Sequence, residues 1–207
     1  QDHNKTYASP RSFNNHYGVP VSLSNLNLDH HYGIFEVGMS KAGEIDKLSK
    51  MIKPNVAIIT NIAEAHIENF KNIKGVAKAK SEIINNIQKN GTVILNRDDK
   101  FFSYLRKKAN SKKIKIVTFG KSNKSDIHLT KLKQYGDIKK ISVRVKNLTF
   151  KLRIKNINIY NVLASLVVLK EFDWSNKKNI KTFESLEPYD GRGKIFKIKR
   201  YKKLFKL

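Results

Sequence analysis

Three short runs, NVAIITNI (55–62), GTVILN (91–96) and IKIVTFG (114–120), are almost wholly apolar and are bounded by Pro, Gly or Asn. A strand without a polar face has to be covered on both sides, which is the habit of parallel strands between helix layers. Segments of helical period lie between them: the later part of KAGEIDKLSKMI before Pro54, the stretch Asn72 to Gln88, and RDDKFFSYLRKKA. YGIFEVGM (32–39) is a further apolar run, closed by Gly38. Strands and helices in succession predict an α/β fold, a mostly parallel sheet flanked by helices and joined by right-handed crossovers.

Beyond Gly120 the pattern changes. SDIHLTKL, KKISVRVK and NLTFKLRI alternate apolar and polar positions, which predicts a small antiparallel extension. NIYNVLASLVVLKEF predicts a strong helix starting near Asn158, and NIKTFESLEPYDGRGK a short helix and a glycine-marked loop. Residues 1–194 are read as one domain and 195–207 as a stub that starts a strand or frays.

The chain has 207 residues, of which 40% are hydrophobic, a globular composition. It has no cysteine, which excludes disulfides and thiolate metal sites. No run is long and apolar enough to span a bilayer, and no membrane partner is expected. The net charge is +25, from 42 basic and 17 acidic residues. Nucleic-acid binding, attraction of an anionic small substrate and a general preference for lysine at the surface compete to explain it. RKKANSKKIK and IKRYKKLFKL read as solvated faces, and neither interleaves basic residues with aromatics on a recognisable platform. Surface preference is therefore the favoured cause, and nucleic acid is not expected as a partner. The rival reading is a basic interaction module that uses lysine patches with Tyr135, Phe150 or Tyr201.

One lysine breaks the surface habit. In the helix predicted over Asn72 to Gln88, Ile73, Val76, Ala77, Ile83, Ile84 and Ile87 form one stripe, and Lys80 stands four residues from both Val76 and Ile84. Its stem either packs while the ammonium reaches water, or the amine enters a polar cavity at the end of the sheet. A lysine withdrawn from water loses its proton more easily. The neutral amine can then take up carbon dioxide as a carbamate, an anion that binds magnesium through oxygen. Glu36, within the first strand region, and His66, a few residues after the second strand, are placed on the same rim, because open parallel sheets bind ligands at the carboxyl ends of their strands. Such an oxygen-rich set suits magnesium better than zinc.

The ordered motifs SFNNHYGVP, FEVGMSKAGEIDKL, PNVAIITNIAEAHIENF, GVAKAKSEI, GTVILNRDD and YDGRGK resemble the central, ATP-binding domain of the Mur ligases over roughly Thr6 to Lys194. The resemblance implies a cytoplasmic, ATP- and Mg2+-dependent amide-bond ligase of peptidoglycan precursor synthesis. Its expected partners are a UDP-N-acetylmuramoyl tripeptide and D-alanyl-D-alanine. It implies Glu36, His66 and carbamylated Lys80 as metal ligands, and Lys80, His66 and Arg192 as the catalytic set. It places Asn61, Asn96, Asp99 and Arg192 at the nucleotide, and Asn14 and Asn15 toward the muramoyl peptide. Read from the residues alone, Asn14 and Asn15 also suit a turn, Asp98 and Asp99 a helix start, and Arg192 an exposed basic loop.

The chain departs from the family pattern in two respects. No stretch matches the phosphate loop G-x-x-x-x-G-K-[ST], so a fragment or a truncated product, inactive alone, is expected rather than a complete enzyme. In KNINIYN, Lys155 and Ile157 stand where the family carries glycine and histidine, while Asn158 and Asn161 remain.

Overall fold

A computed structural model describes residues 5–64, 67–173, 177–187, 197–200 and 203–206. The chain divides into two compact units, 1–117 and 118–207, with the division falling inside one strand.

The first unit opens with two three-residue strands, β1 (Thr6–Ala8) and β2 (Tyr32–Ile34), paired in parallel, with α1 (Gly18–Ser24) between them in sequence. Then come α2 (Glu44–Ile52), β3 (Val56–Ile59), α3 (Ile73–Lys80), β4 (Thr92–Asn96) and α4 (Phe102–Ser111). β3 and β4 pair in parallel, Val56 opposite Thr92 and Ile59 opposite Leu95. β5 (Lys115–Gly120) starts beside β4, where the Lys115 N–H donates to the Gly91 carbonyl. Every residue of β4 is buried, as its unbroken apolar run demands. Ala57, Ile59, Val93 and Leu95 face Val76, Ala77 and Ile84, and Phe102, Leu105 and Ala109 of α4 complete that core.

The second unit is built on three longer strands, β6 (Ile127–Tyr135), β7 (Ile138–Val145) and β8 (Leu148–Ile154), antiparallel throughout. The end of β5 pairs in parallel with the start of β6 at Phe119 and Gly120. Ile141, Val143, Val145, Leu152 and Ile154 form the buried face of these strands. α5 (Ile159–Glu171) lies against β6 and buries Val162, Leu163, Ala164, Leu166 and Val167. It starts where its period predicts: the Asn158 side chain accepts the Tyr160 N–H at 2.9 Å, an N-cap. α6 (Lys177–Lys181) follows, and β9 (Lys197–Arg200) and β10 (Lys203–Lys206) pair antiparallel.

The structure differs from the sequence-based expectation in two places. The helix expected from Asn72 to Gln88 stops at Lys80, and Ser81–Asn86 winds on as a 3-10 helix. Ser81 supplies a reason: its hydroxyl donates to the Lys78 carbonyl at 2.7 Å, a local bond that competes with the α-helical ladder. Glu36 lies two residues beyond the end of β2 rather than inside a strand, and it is exposed.

Candidate functional site

Three of the expected residues, Asn61, Asn96 and Asp99, gather where β3 and β4 end. Thr60 and Asn61 follow the last residue of β3, Asn96 ends β4, and Asp99 lies in the turn before α4. The buried Asn96 amide donates to the Thr60 carbonyl at 3.1 Å and accepts the Asp98 N–H at 3.0 Å. Asp99 accepts the Ile62 N–H at 2.6 Å on one oxygen and the Phe101 N–H at 2.8 Å on the other. These two side chains therefore tie the ends of adjacent strands together, and that leaves backbone at the carboxyl rim, where an open sheet receives ligands.

Lys80 enters this rim from the last turn of α3. Its stem follows the fully buried Val76 and Ala77, and its ammonium donates to the Asn61 carbonyl at 2.8 Å. Burial pushes the ammonium below the usual lysine range, and the Asp99 carboxylate pulls it partway back. The amine is thus partly desolvated and held against a carbonyl at the strand end.

Asn14 and Glu36, which the sequence reading assigned to different ligands, are partners. The Asn14 side-chain amide donates to Glu36 Oε1 at 3.1 Å, and the Asn14 backbone carbonyl accepts the Gly38 N–H at 2.7 Å. A Cβ on Gly38 would stand 3.0 to 3.2 Å from the Asn14 amide atoms, so a side chain here would crowd that amide and make it shift. Asn15 accepts the Tyr17 and Gly18 N–H groups at 3.0 and 2.9 Å and shapes the entry to α1. The loop carrying Glu36 is pinned further along. Glu44 accepts the Ser40 and Lys41 N–H groups at 2.6 and 3.0 Å, and these bonds lower its pKa.

Glu82 was not anticipated. It accepts the Gly43 N–H on both carboxylate oxygens, at 2.9 and 3.1 Å, and the Asp46 N–H at 3.1 Å, so it caps α2 from a distant segment. Gly43 has a positive φ of 85°, which a side chain would strain. Lys108 likewise reaches the buried Ser81 hydroxyl at 3.1 Å, and burial lowers its pKa against the pull of Glu82. The sequence signal available was the acid two residues after Lys80, but its partner lies 39 positions away.

His66 and Arg192 lie outside the described residues. Among the described residues no three His, Cys, Asp or Glu side chains stand together as a metal-ligand set. Lys80 joins a ligand set only as a carbamate. Where the family pattern is broken, Lys155 pairs with Glu187, and the Ile157 backbone carbonyl, which any residue there would offer, accepts the Lys139 ammonium at 3.0 Å.

The chain belongs to the Mur ligase family, whose middle domain matches residues 2–169. It is 31% identical over 196 residues to the UDP-N-acetylmuramoyl-tripeptide–D-alanyl-D-alanine ligase of Rickettsia prowazekii, covering 93% of this chain and 44% of that protein. The ligase of the same name from Buchnera aphidicola is 37% identical over 169 residues, 77% of this chain and 36% of the relative. Among solved structures, MurF from Acinetobacter baumannii superposes with a TM-score of 0.89 at 27% identity, over 99% of this chain and 45% of that one. The chain thus spans less than half the length of the relatives it matches. Among the described residues no helix is long and apolar enough to cross a membrane.

Proposed function

We propose that this chain supplies the nucleotide- and metal-binding part of an ATP-dependent ligase that joins D-alanyl-D-alanine to a UDP-N-acetylmuramoyl tripeptide. In this reading a terminal carboxylate oxygen of the peptide attacks the γ-phosphorus of ATP, and ADP leaves. The amino group of the dipeptide then attacks the acyl carbon, phosphate leaves, an amide forms and the amine gives up a proton. The observation that carries the reading is Lys80, an inward amine with a lowered pKa on a rim it shares with Asn61, Asn96 and Asp99.

The lowered pKa raises the neutral fraction of the amine. Its lone pair adds to the carbon of carbon dioxide, one proton is released, and a carbamate results. Glu36, His66 and that carbamate would hold magnesium, an oxygen-rich set of the kind this ion prefers. Magnesium, when bound, supplies positive charge against the phosphates. Asn61 and the rim backbone orient the nucleotide, and Asn96 and Asp99 hold that rim in place. Arg192 adds charge near phosphate as it transfers. Asn14 orients Glu36, and with Asn15 faces the muramoyl peptide. A cytoplasmic location fits an ATP-consuming reaction on a nucleotide sugar.

The test is carbon-13 NMR of the chain in labelled bicarbonate at neutral pH. A carbamate resonance is expected, lost in Lys80→Met and strengthened by magnesium. A Lys80 that stays a free ammonium under these conditions removes the basis of the proposal.

A further inference from the structure

The register of β6, β7 and β8 gathers cations from three strands onto one face, with one aromatic at its end. Lys131 stands opposite Ser142, and Ser142 opposite Lys151. Two residues along, Lys133 stands opposite Lys140, and Lys140 opposite Arg153. Alternation puts all of them on one face, because Ile141, Val143 and Leu152 between them are buried on the other. Tyr135, 54% exposed, ends the same face, and the Lys140 ammonium sits 4.9 Å from its ring centroid. The result is a cleft of about 330 Å³ lined by Lys131, Lys133, Lys140, Lys151 and Arg153. Ser142 and Glu184 line the cleft as well, and the Glu184 carboxylate accepts the Arg153 backbone N–H at 2.9 Å.

We infer that this cleft binds single-stranded nucleic acid through its phosphate backbone, without reading base sequence. Charge alone would suit any polyanion, but the shape narrows the choice. The cations come from three strands, and the outer two stand about 9.6 Å apart at a strand spacing of about 4.8 Å. A strip of cations of that width takes one extended chain of phosphates, whereas a lipid surface would engage cations spread over a broader face. The hydroxyl of Ser142 among the lining cations adds a donor, and Tyr135, exposed beyond the cleft on the same face, offers a ring on which a base can stack. All these residues belong to the second unit, so the inference stands apart from the ligase chemistry proposed for the first.

The experiment is fluorescence anisotropy of the full 207-residue chain with a labelled oligouridylate of about 12 nucleotides, as a function of salt. Each neutralised phosphate contributes about −0.7 to the slope of log K against log salt, so the lining cations together give about −3.5. Lys131→Gln with Lys151→Gln should bring the slope to about −2.1 and weaken binding about 25-fold at 0.1 M salt relative to 1 M. Lys107→Gln with Lys112→Gln removes the same charge from exposed positions elsewhere and should leave the slope unchanged. If the first pair loses its native circular dichroism, Lys133→Gln with Lys140→Gln carries the same test. Equal losses from the two sites would show that net charge alone binds, and overturn the inference. So would absence of oligonucleotide binding, or tighter binding to vesicles of anionic phospholipid than to the oligonucleotide.

Discussion

Glu82→Ala tests how the loop bearing Glu36 is held. The carboxylate takes the Gly43 N–H on both oxygens and the Asp46 N–H on one, at the positive end of α2. Loss of a side-chain cap costs about 0.5–2 kcal/mol, and loss of the charge–dipole attraction a further 0.3–1 kcal/mol or so. The expected destabilisation is therefore about 2 kcal/mol, or a midpoint about 4–8 °C lower for a chain of this size. Because the chain forms two compact units, the sharper assay is amide hydrogen exchange. Gly43 and Asp46 should lose protection, while amides of β7 and β8 keep theirs. Lys108 should respond as well, its pKa falling further once Glu82 no longer pulls it up. Glu82→Gln keeps one acceptor oxygen and should fall between wild type and alanine. Unchanged exchange at Gly43 and Asp46, with a loss below about 0.5 kcal/mol, would refute the argument.

Four further outcomes are expected. Lys80 is lowered in the folded chain, so the unfolded state binds more protons between the folded and unfolded values, and stability should rise with pH through that alkaline window. Urea unfolding in Lys80→Met should show a smaller rise, and Asp99→Asn should lower the Lys80 pKa further, read from its carbon-13 ε shift. Leu163→Ala, at a fully buried position on α5, should cost about 2–5 kcal/mol by denaturant titration. Gly38→Ala should push the Asn14 amide off its seat, visible as a changed Asn14 side-chain resonance in nitrogen-15 spectra.

β4 was legible because its apolar run announces burial on both faces and every residue of it is buried, and α5 because its apolar residues and Asn158 cap agree; β3 announced the same double burial, yet Ile58 on its outer face is 40% exposed. β1 and α1 were not: three residues carry no period, and α1 takes its shape from the Asn15 side chain and from Gly18 pressed onto the Phe13 backbone. The inward turn of Lys80 could be read from its spacing to Val76 and Ile84, but its acceptor, the Asn61 carbonyl, depends on how β3 ends. Glu82, Asn14 and Glu36 meet partners more than twenty positions away, a distance at which periodicity carries no information. The basic face was hidden for the same reason, since each strand by itself reads as an ordinary amphipathic strand.

The change of winding after Lys80 also alters reach. Six residues of 3-10 helix advance about 2.0 Å each, about 12 Å in all, where an α-helix of equal count would cover about 9 Å. The chain gains about 3 Å on its way back to Gly91 without an added residue. The amine stays anchored at one end of this taut spacer while β4 begins beyond the other. A substitution that relaxed Ser81–Asn86 into α-helix would shorten the tether and tug on the amine, with every ligand-facing side chain left in the sequence.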